Sequence, residues 1–133
     1  MRVDVSAIDE GQWVKSSAFP DVEWLVRGTE YPPYASAIRR AVQRALTRAR
    51  GRRGNLDTLE TTDPERRRLV AKHLLIGWKG IQDERGDDLP YTPEMAELFV
   101  CSREWVDAQR DIDEAIDKVG RDLEQMREEV AGN

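Results

Sequence analysis

An α+β fold of mostly helices, with an N-terminal β-hairpin followed by a helical domain and a long C-terminal helix, is predicted by three observations. Two β-rich runs flank the turn signal Phe19-Pro20-Asp21. Apolar residues recur at helical spacing through most of the following chain. Residues 102–133 carry an apolar seam at heptad spacing. The 133 residues match one ordinary domain of roughly 100 to 150, with 1–101 as its α+β body and 102–133 as a charged helix packing on that body or on a partner. Charged residues reach 35% and hydrophobic ones only 39%, against averages of roughly 25% and roughly 45 to 50%, so the core is small relative to the surface.

The elements follow in order. Residues 1–9 alternate Val3 and Val5 with polar neighbours and read as a short strand or an arm. Gln12-Trp13-Val14-Lys15 and Val22-Glu23-Trp24-Leu25-Val26-Arg27 form the hairpin, spanning 12–28. The two-residue period puts Val22, Trp24 and Val26 on one face, which packs on helices. Pro32-Pro33 makes a connector. A helix over about 34–50 follows from the stripe Ile38, Val42, Ala45 and Ala49. Gly51 and Gly54 stop it. Asp63-Pro64 reads as a cap with proline at the first helical position, opening a helix over 63–80. Its apolar residues Leu69, Val70, Leu74, Leu75, Ile76 and Trp78 cover more than half its circumference, as a central core helix would. The stretch 81–91 is a polar, exposed and shaped loop. Thr92-Pro93-Glu94 repeats the cap signature and starts a helix over 93–101. Ser102 caps the last helix, about 40 Å long at about 1.5 Å per residue. Its residues Ile112, Ile116, Val119, Leu123, Met126 and Val130 alternate four and three apart, the spacing of a helix–helix seam. The expected core includes Trp13, Trp24, Leu74, Leu75, Trp78, Leu98 and Phe99.

A net charge of −5 conceals a division. Residues 35–72 hold 11 Lys/Arg and 4 Asp/Glu, whereas 81–133 hold 6 and 16. Opposite ends of this kind can steer a partner, repel like patches or let copies associate head to tail. The charge patch comprises Arg39, Arg40, Arg44, Arg48, Arg52 and Arg53. The bland alternative is a set of solvated helix faces, since exposed ion pairs contribute little.

Catalytic raw material is thin: one histidine, His73, and one cysteine, Cys101, so neither a catalytic residue nor a metal site is assigned. The acidic run Asp83-Glu84 to Asp87-Asp88 lacks the alternating ligands and closing glutamate of a calcium loop. Gly51-Arg52-Arg53-Gly54 lacks the Gly-Lys-Ser/Thr of a phosphate loop. No cofactor is expected. With no long apolar run and no apolar leader at the N-terminus, the expectation is a soluble intracellular protein without a membrane partner.

The block Leu74-Leu75-Ile76-Gly77-Trp78-Lys79-Gly80-Ile81, the loop Asp83-Glu84-Arg85-Gly86-Asp87 and the start Leu89-Pro90-Tyr91-Thr92-Pro93-Glu94 together resemble a pattern in tail assembly chaperones of long-tailed, siphovirus-like bacteriophages. Gly11-Gln12-Trp13-Val14-Lys15 with Glu23-Trp24-Leu25-Val26-Arg27-Gly28 is similar to that family's opening hairpin. The two blocks cover about half the chain. The arginine density of residues 39–53 and the acidic terminal helix depart from the family pattern. The resemblance implies a non-enzymatic factor that binds the tape measure protein, assists polymerisation of the tail tube protein, works in the host cytoplasm and is absent from the mature virion. On that reading Trp78, Lys79, Asp83, Glu84 and Tyr91 form one recognition edge. The seam Ile112, Ile116, Val119, Leu123 and Met126 takes a helical partner or another copy in a homo-oligomer. Two alternatives stay open: a connector or tail-completion protein retained in the virion, and a nucleic-acid-binding regulator using residues 39–53, the latter disfavoured by overall acidity and by the lack of aromatics among the arginines.

Overall fold

The hairpin forms where the two-residue period requires it. In the computed structural model, which describes residues 6–51 and 62–131, β1 (Gln12–Lys15) and β2 (Glu23–Val26) pair antiparallel, with Val14 opposite Trp24 and Trp13 opposite Leu25. Val22, Trp24 and Val26 are buried on one face, as alternation predicts. Trp13 is on the other face and 44% exposed, so it is not a core residue. The Lys79 ammonium covers it, 4.0 Å from the ring centroid. Ahead of the hairpin, Ser6–Glu10 is a short helix, α1, where a strand or arm was expected; residues 1–5 lie outside the described residues.

Helix α2 (Pro32–Gly51) begins on the prolines assigned to a connector, because the first helical positions need no N–H partner. Its buried stripe is Tyr34, Ala37, Ala41 and Ala45, rotated from the expected one, and Val42 and Leu46 are 39% and 42% exposed. Three alanines on that face let neighbouring backbone approach closely, which the larger Val42 would prevent.

The expected helix over 63–80 is the main departure. Helix α3 (Thr62–Leu69) runs into one π turn, Val70–Leu74, after which the chain extends as β3 (Leu75–Lys79). This strand completes a sheet of order β1-β2-β3, pairing Trp24 with Trp78 and Leu25 with Gly77. A short apolar run reads equally as buried helix or buried strand. Here the open edge of β2 supplies backbone partners that a continued helix would leave unmet. Gly77 lies against Leu25, whose side chain would stand 3.3 Å from any Cβ added there.

Helix α4 (Pro93–Cys101) starts as expected, with the Thr92 hydroxyl accepting from the Met95 N–H at 3.1 Å. Phe99 is buried, but Leu98 is 47% exposed and outside the core, because neighbouring positions on a helix point about 100° apart. A 3₁₀ turn, Arg103–Trp105, leads into α5 (Val106–Ala131). Ile112, Ile116, Val119 and Leu123 are all buried, with α5 laid across β1, β2 and α4. The seam expected to receive a partner is therefore occupied by the chain's own sheet over that length, since the sheet's apolar face needs a cover. Met126 is exposed, and the Val130 side chain lies outside the described residues.

Aromatic edges knit the centre. Trp78 meets Trp24, Tyr91 and Phe99 in T-shaped contacts at centroid distances of 6.4, 5.0 and 5.1 Å. Above them sits a buried carboxylate, Asp111 of α5. It accepts from the Trp24 indole N–H at 2.6 Å, the Ser17 N–H at 3.2 Å, the Ser17 hydroxyl at 3.1 Å and the Ser16 hydroxyl. Burial pushes its carboxyl up, yet the hydrogen bonds from Ser16, Trp24 and Ser17 outweigh burial and hold it below the ordinary 3.8.

Asp111→Ala leaves the buried Trp24 N–H without an acceptor and should cost about 3 kcal/mol at neutral pH in urea unfolding. A depressed folded pKa means the contribution is fully present above the ordinary value and lost as pH falls through the folded one. The gap between wild type and Asp111→Asn should accordingly hold at neutral pH and close on acidification below the ordinary carboxylate value of 3.8. Gly80 has φ of +84° and any Cβ there would overlap the Asp21 carbonyl oxygen. Gly80→Ala should therefore cost about 3 kcal/mol, read as a drop in melting temperature.

Candidate partner-binding surface

The hairpin turn is shaped by its first serine. Ser16 donates its N–H to the Val22 carbonyl at 2.8 Å, and its hydroxyl accepts from the N–H groups of Ala18 and Phe19 at 3.2 and 2.8 Å. Asp111 then ties Ser16 and Ser17 to α5, which fixes Phe19 and Val22 relative to the helices. Opposite them, the chain leaves β3 at Gly80 and enters the 81–91 loop. Asp83 organises that loop: its carboxylate accepts from the N–H groups of Arg85 and Asp87 at 2.9 and 3.1 Å, and Gln82 bridges to Asp88. The same carboxylate is thus spent on the loop's own amides. Trp78 donates its indole N–H to the Leu89 carbonyl at 2.8 Å, and the Tyr91 hydroxyl donates to the Leu75 carbonyl at 2.9 Å. The C-terminal end of the loop is thereby pinned to β3.

Between these walls lies an apolar cleft of about 210 Å³. Phe19, Val22 and Trp24 line it from the hairpin, Gly80, Ile81 and Gln82 from the loop, and Phe99, Trp105 and Ala108 from the helices. Trp105 stacks edge-on against Phe99 at 5.1 Å and is 43% exposed. Leu98, near the end of α4, and Val106, at the start of α5, are also exposed. Sequence reasoning overlooked Trp105; the signal was an unexplained tryptophan between Ser102 and the first turn of the last helix.

The sequence-assigned edge is distributed differently from expectation. Trp78 is a core residue and half-buried Tyr91 a brace, whereas Asp83 and Glu84 are exposed on the loop. Lys79 turns to the other face of the sheet, over Trp13. Of the assigned seam, Ile112, Ile116, Val119 and Leu123 are buried within the chain, and Met126 alone of the five assigned seam residues remains on the surface.

The arginine patch sits on α2, where Arg39, Arg40, Arg44 and Arg48 are exposed; Arg52 and Arg53 lie outside the described residues. Glu65 of α3 pairs with Arg44 at 3.3 Å and Arg48 at 3.6 Å. A shallow groove continues past Arg40 and Arg44 to Lys72 and His73. Burial, then the cations Lys72, Arg27 and Arg40, hold the His73 imidazole below its ordinary pKa. Burial likewise raises the Cys101 thiol, which disfavours the thiolate a nucleophile requires. Among the described residues no helix is long and apolar enough to cross a membrane.

Residues 29–133 match the model of a family described as YdaY prophage protein. Neither the curated proteins nor the solved structures yield a match.

Two substitutions one turn apart on α5 separate core from surface. Leu123→Asp should unfold the protein or cost about 4 kcal/mol, since it buries an unpaired charge. Met126→Asp should change stability by less than about 0.5 kcal/mol. Thermal melts followed by circular dichroism measure both.

Proposed function

The chain belongs to the YdaY prophage protein family and is phage-related, and from that premise we propose that it is a non-enzymatic tail assembly chaperone. It binds the tape measure protein and assists polymerisation of the tail tube protein in the host cytoplasm, and it is left out of the mature virion. The observation that carries this reading is a coincidence of motif and surface. The residues that resemble tail assembly chaperones run from Leu74 to Glu94, and Gly80, Ile81 and Gln82 within that run form one wall of the apolar cleft. An open apolar cleft lined by exposed Trp105 suits reversible capture of an apolar side chain from a helical segment.

A second reading rests on α2 and its grooves, where Arg40, Arg44 and Lys72 gather cationic groups that suit phosphates. Filter binding over a salt series separates it, because phosphate contacts make log affinity fall linearly with log salt. A protein retained in the virion would instead be found in purified particles.

Co-expression with the tape measure and tail tube proteins of the same phage tests the first reading. The expected result is a soluble complex containing the tape measure, lost with Ile81→Glu and kept with Met126→Asp. Elution of the protein alone beside an insoluble tape measure overturns it.

A further inference from the structure

We propose that the groove between α2 and the π turn is a proton-linked phosphate site, in which His73 takes up a proton as a phosphate group settles between Arg40 and Lys72. The inference needs nothing from the chaperone reading; it rests on the phosphate reading of this groove and names the residue that regulates it. The groove, of about 340 Å³, is lined by Arg40 and Arg44 from α2 and by Lys72 and His73 from the π turn. Its cations outnumber its acids. Glu65 serves Arg44 at 3.3 Å and Arg48 at 3.6 Å, while among the described residues Arg40 and Lys72 form no ion pair. Both are exposed, so an incoming anion meets them without breaking a contact of either with an acid.

His73 is half-buried at the same groove. Lys72 adjoins it on the π turn, Arg40 acts on it from α2, and Arg27, just after β2, donates to its carbonyl at 3.0 Å. Arg27 also covers Tyr31, whose ring lies 6.3 Å from the imidazole. Of the other elements packed on the π turn, α3 carries Glu65 with Arg66, Arg67 and Arg68, α4 carries Glu94 and Glu97, and β3 carries Lys79, which is turned to Trp13. In the empty groove burial first, then Lys72, Arg27 and Arg40, keep the proton off the ring. An anion between Arg40 and Lys72 reverses the balance: it offsets two of the three cations and sets an opposite charge beside the ring, and both changes favour imidazolium. Protonated, the ring donates from both nitrogens. The linkage is reciprocal, so each tenfold step that the phosphate adds to proton affinity the proton adds to phosphate affinity. That gain is complete below the titration point of the empty site and is lost as pH rises through the raised one of the complex.

His73 is the single histidine of the chain, so proton NMR of the untagged full chain follows one imidazole. It is titrated from about pH 5 to about pH 8.5 alone, with inorganic phosphate, and with a DNA duplex of about 12 base pairs, whose phosphodiesters keep their charge throughout. The expected result is a titration point raised by about one unit in the complex, with duplex affinity by fluorescence anisotropy about tenfold tighter at about pH 5.5 than at about pH 8. His73→Asn should keep the high-pH affinity and lose the gain in acid; should it lose its helical circular dichroism, the wild-type NMR titration decides alone. Arg40→Gln with Lys72→Gln should abolish the rise, and Arg85→Gln on the 81–91 loop should leave it unchanged. A rise with the duplex alone supports the proposal with a nucleic-acid backbone as the source, and a rise with inorganic phosphate as well supports it with a free phosphate group. Binding that leaves the His73 titration where it was overturns the proposal and spares the phosphate reading. No binding of either probe at about pH 5.5 overturns both. A rise that survives the Arg40→Gln, Lys72→Gln double variant puts the anion elsewhere and overturns the proposal as well.

Discussion

The carboxylate of Asp111 is the point on which the arrangement turns. It lies on the face of α5 that carries the apolar seam, a place where a charge is tolerated only if its hydrogen bonds replace the water it has lost. Trp24, Ser16 and Ser17 supply them, all from the hairpin. A single acidic residue thereby sets the register between the C-terminal helix and the N-terminal strands, which lie at opposite ends of the chain. An apolar residue at that position would bury comparable area, but it would leave the rotation of the hairpin turn on the helix unspecified.

From that contact the cleft follows. Fixing Ser16 fixes Phe19, and the turn's return strand places Val22 and Trp24 on the floor of the depression. Asp21, in the left-handed region at φ 64°, brings its carbonyl against Gly80, where only a glycine leaves room. The loop after Gly80 is held open by Asp83 from within and by Trp78 and Tyr91 from behind. The rigid parts of the motif are therefore braces, and the surface they present is made by smaller neighbours such as Ile81 and Gln82.

Charge and apolar exposure are arranged on separate elements. Helix α5 spends its apolar residues on the sheet and turns most of its acids outward, while α2 buries alanines and leaves both its arginines and two aliphatic residues in solvent. Helix α2 thus meets the fold with its smallest residues, and the larger Val42 and Leu46 on the adjoining side stay partly exposed. Exposed apolar residues among charges are ordinary when scattered; here Val42 and Leu46 are aligned on one helix, and Trp105 is exposed at the rim of the cleft it lines.

Local pattern alone determined the hairpin and its buried face, the capped start at Thr92, the long terminal helix and the α+β class, because alternation, capping chemistry and heptad spacing act over a few residues. The motif from Leu74 to Glu94 was legible as a block, and its loop was recognisable as exposed and shaped. Tertiary structure alone decided that residues 75–79 are a strand, since an apolar run of that length suits helix and strand equally until β2 offers a free edge. It also decided that the seam from Ile112 to Leu123 is core: heptad spacing says that something covers a helix, and only the sheet's own exposed face says what. The roles of Asp111 and Trp105 were decided there too, for the same reason. Their roles are defined by residues distant in sequence, and no local period encodes a contact between the first hairpin and the last helix.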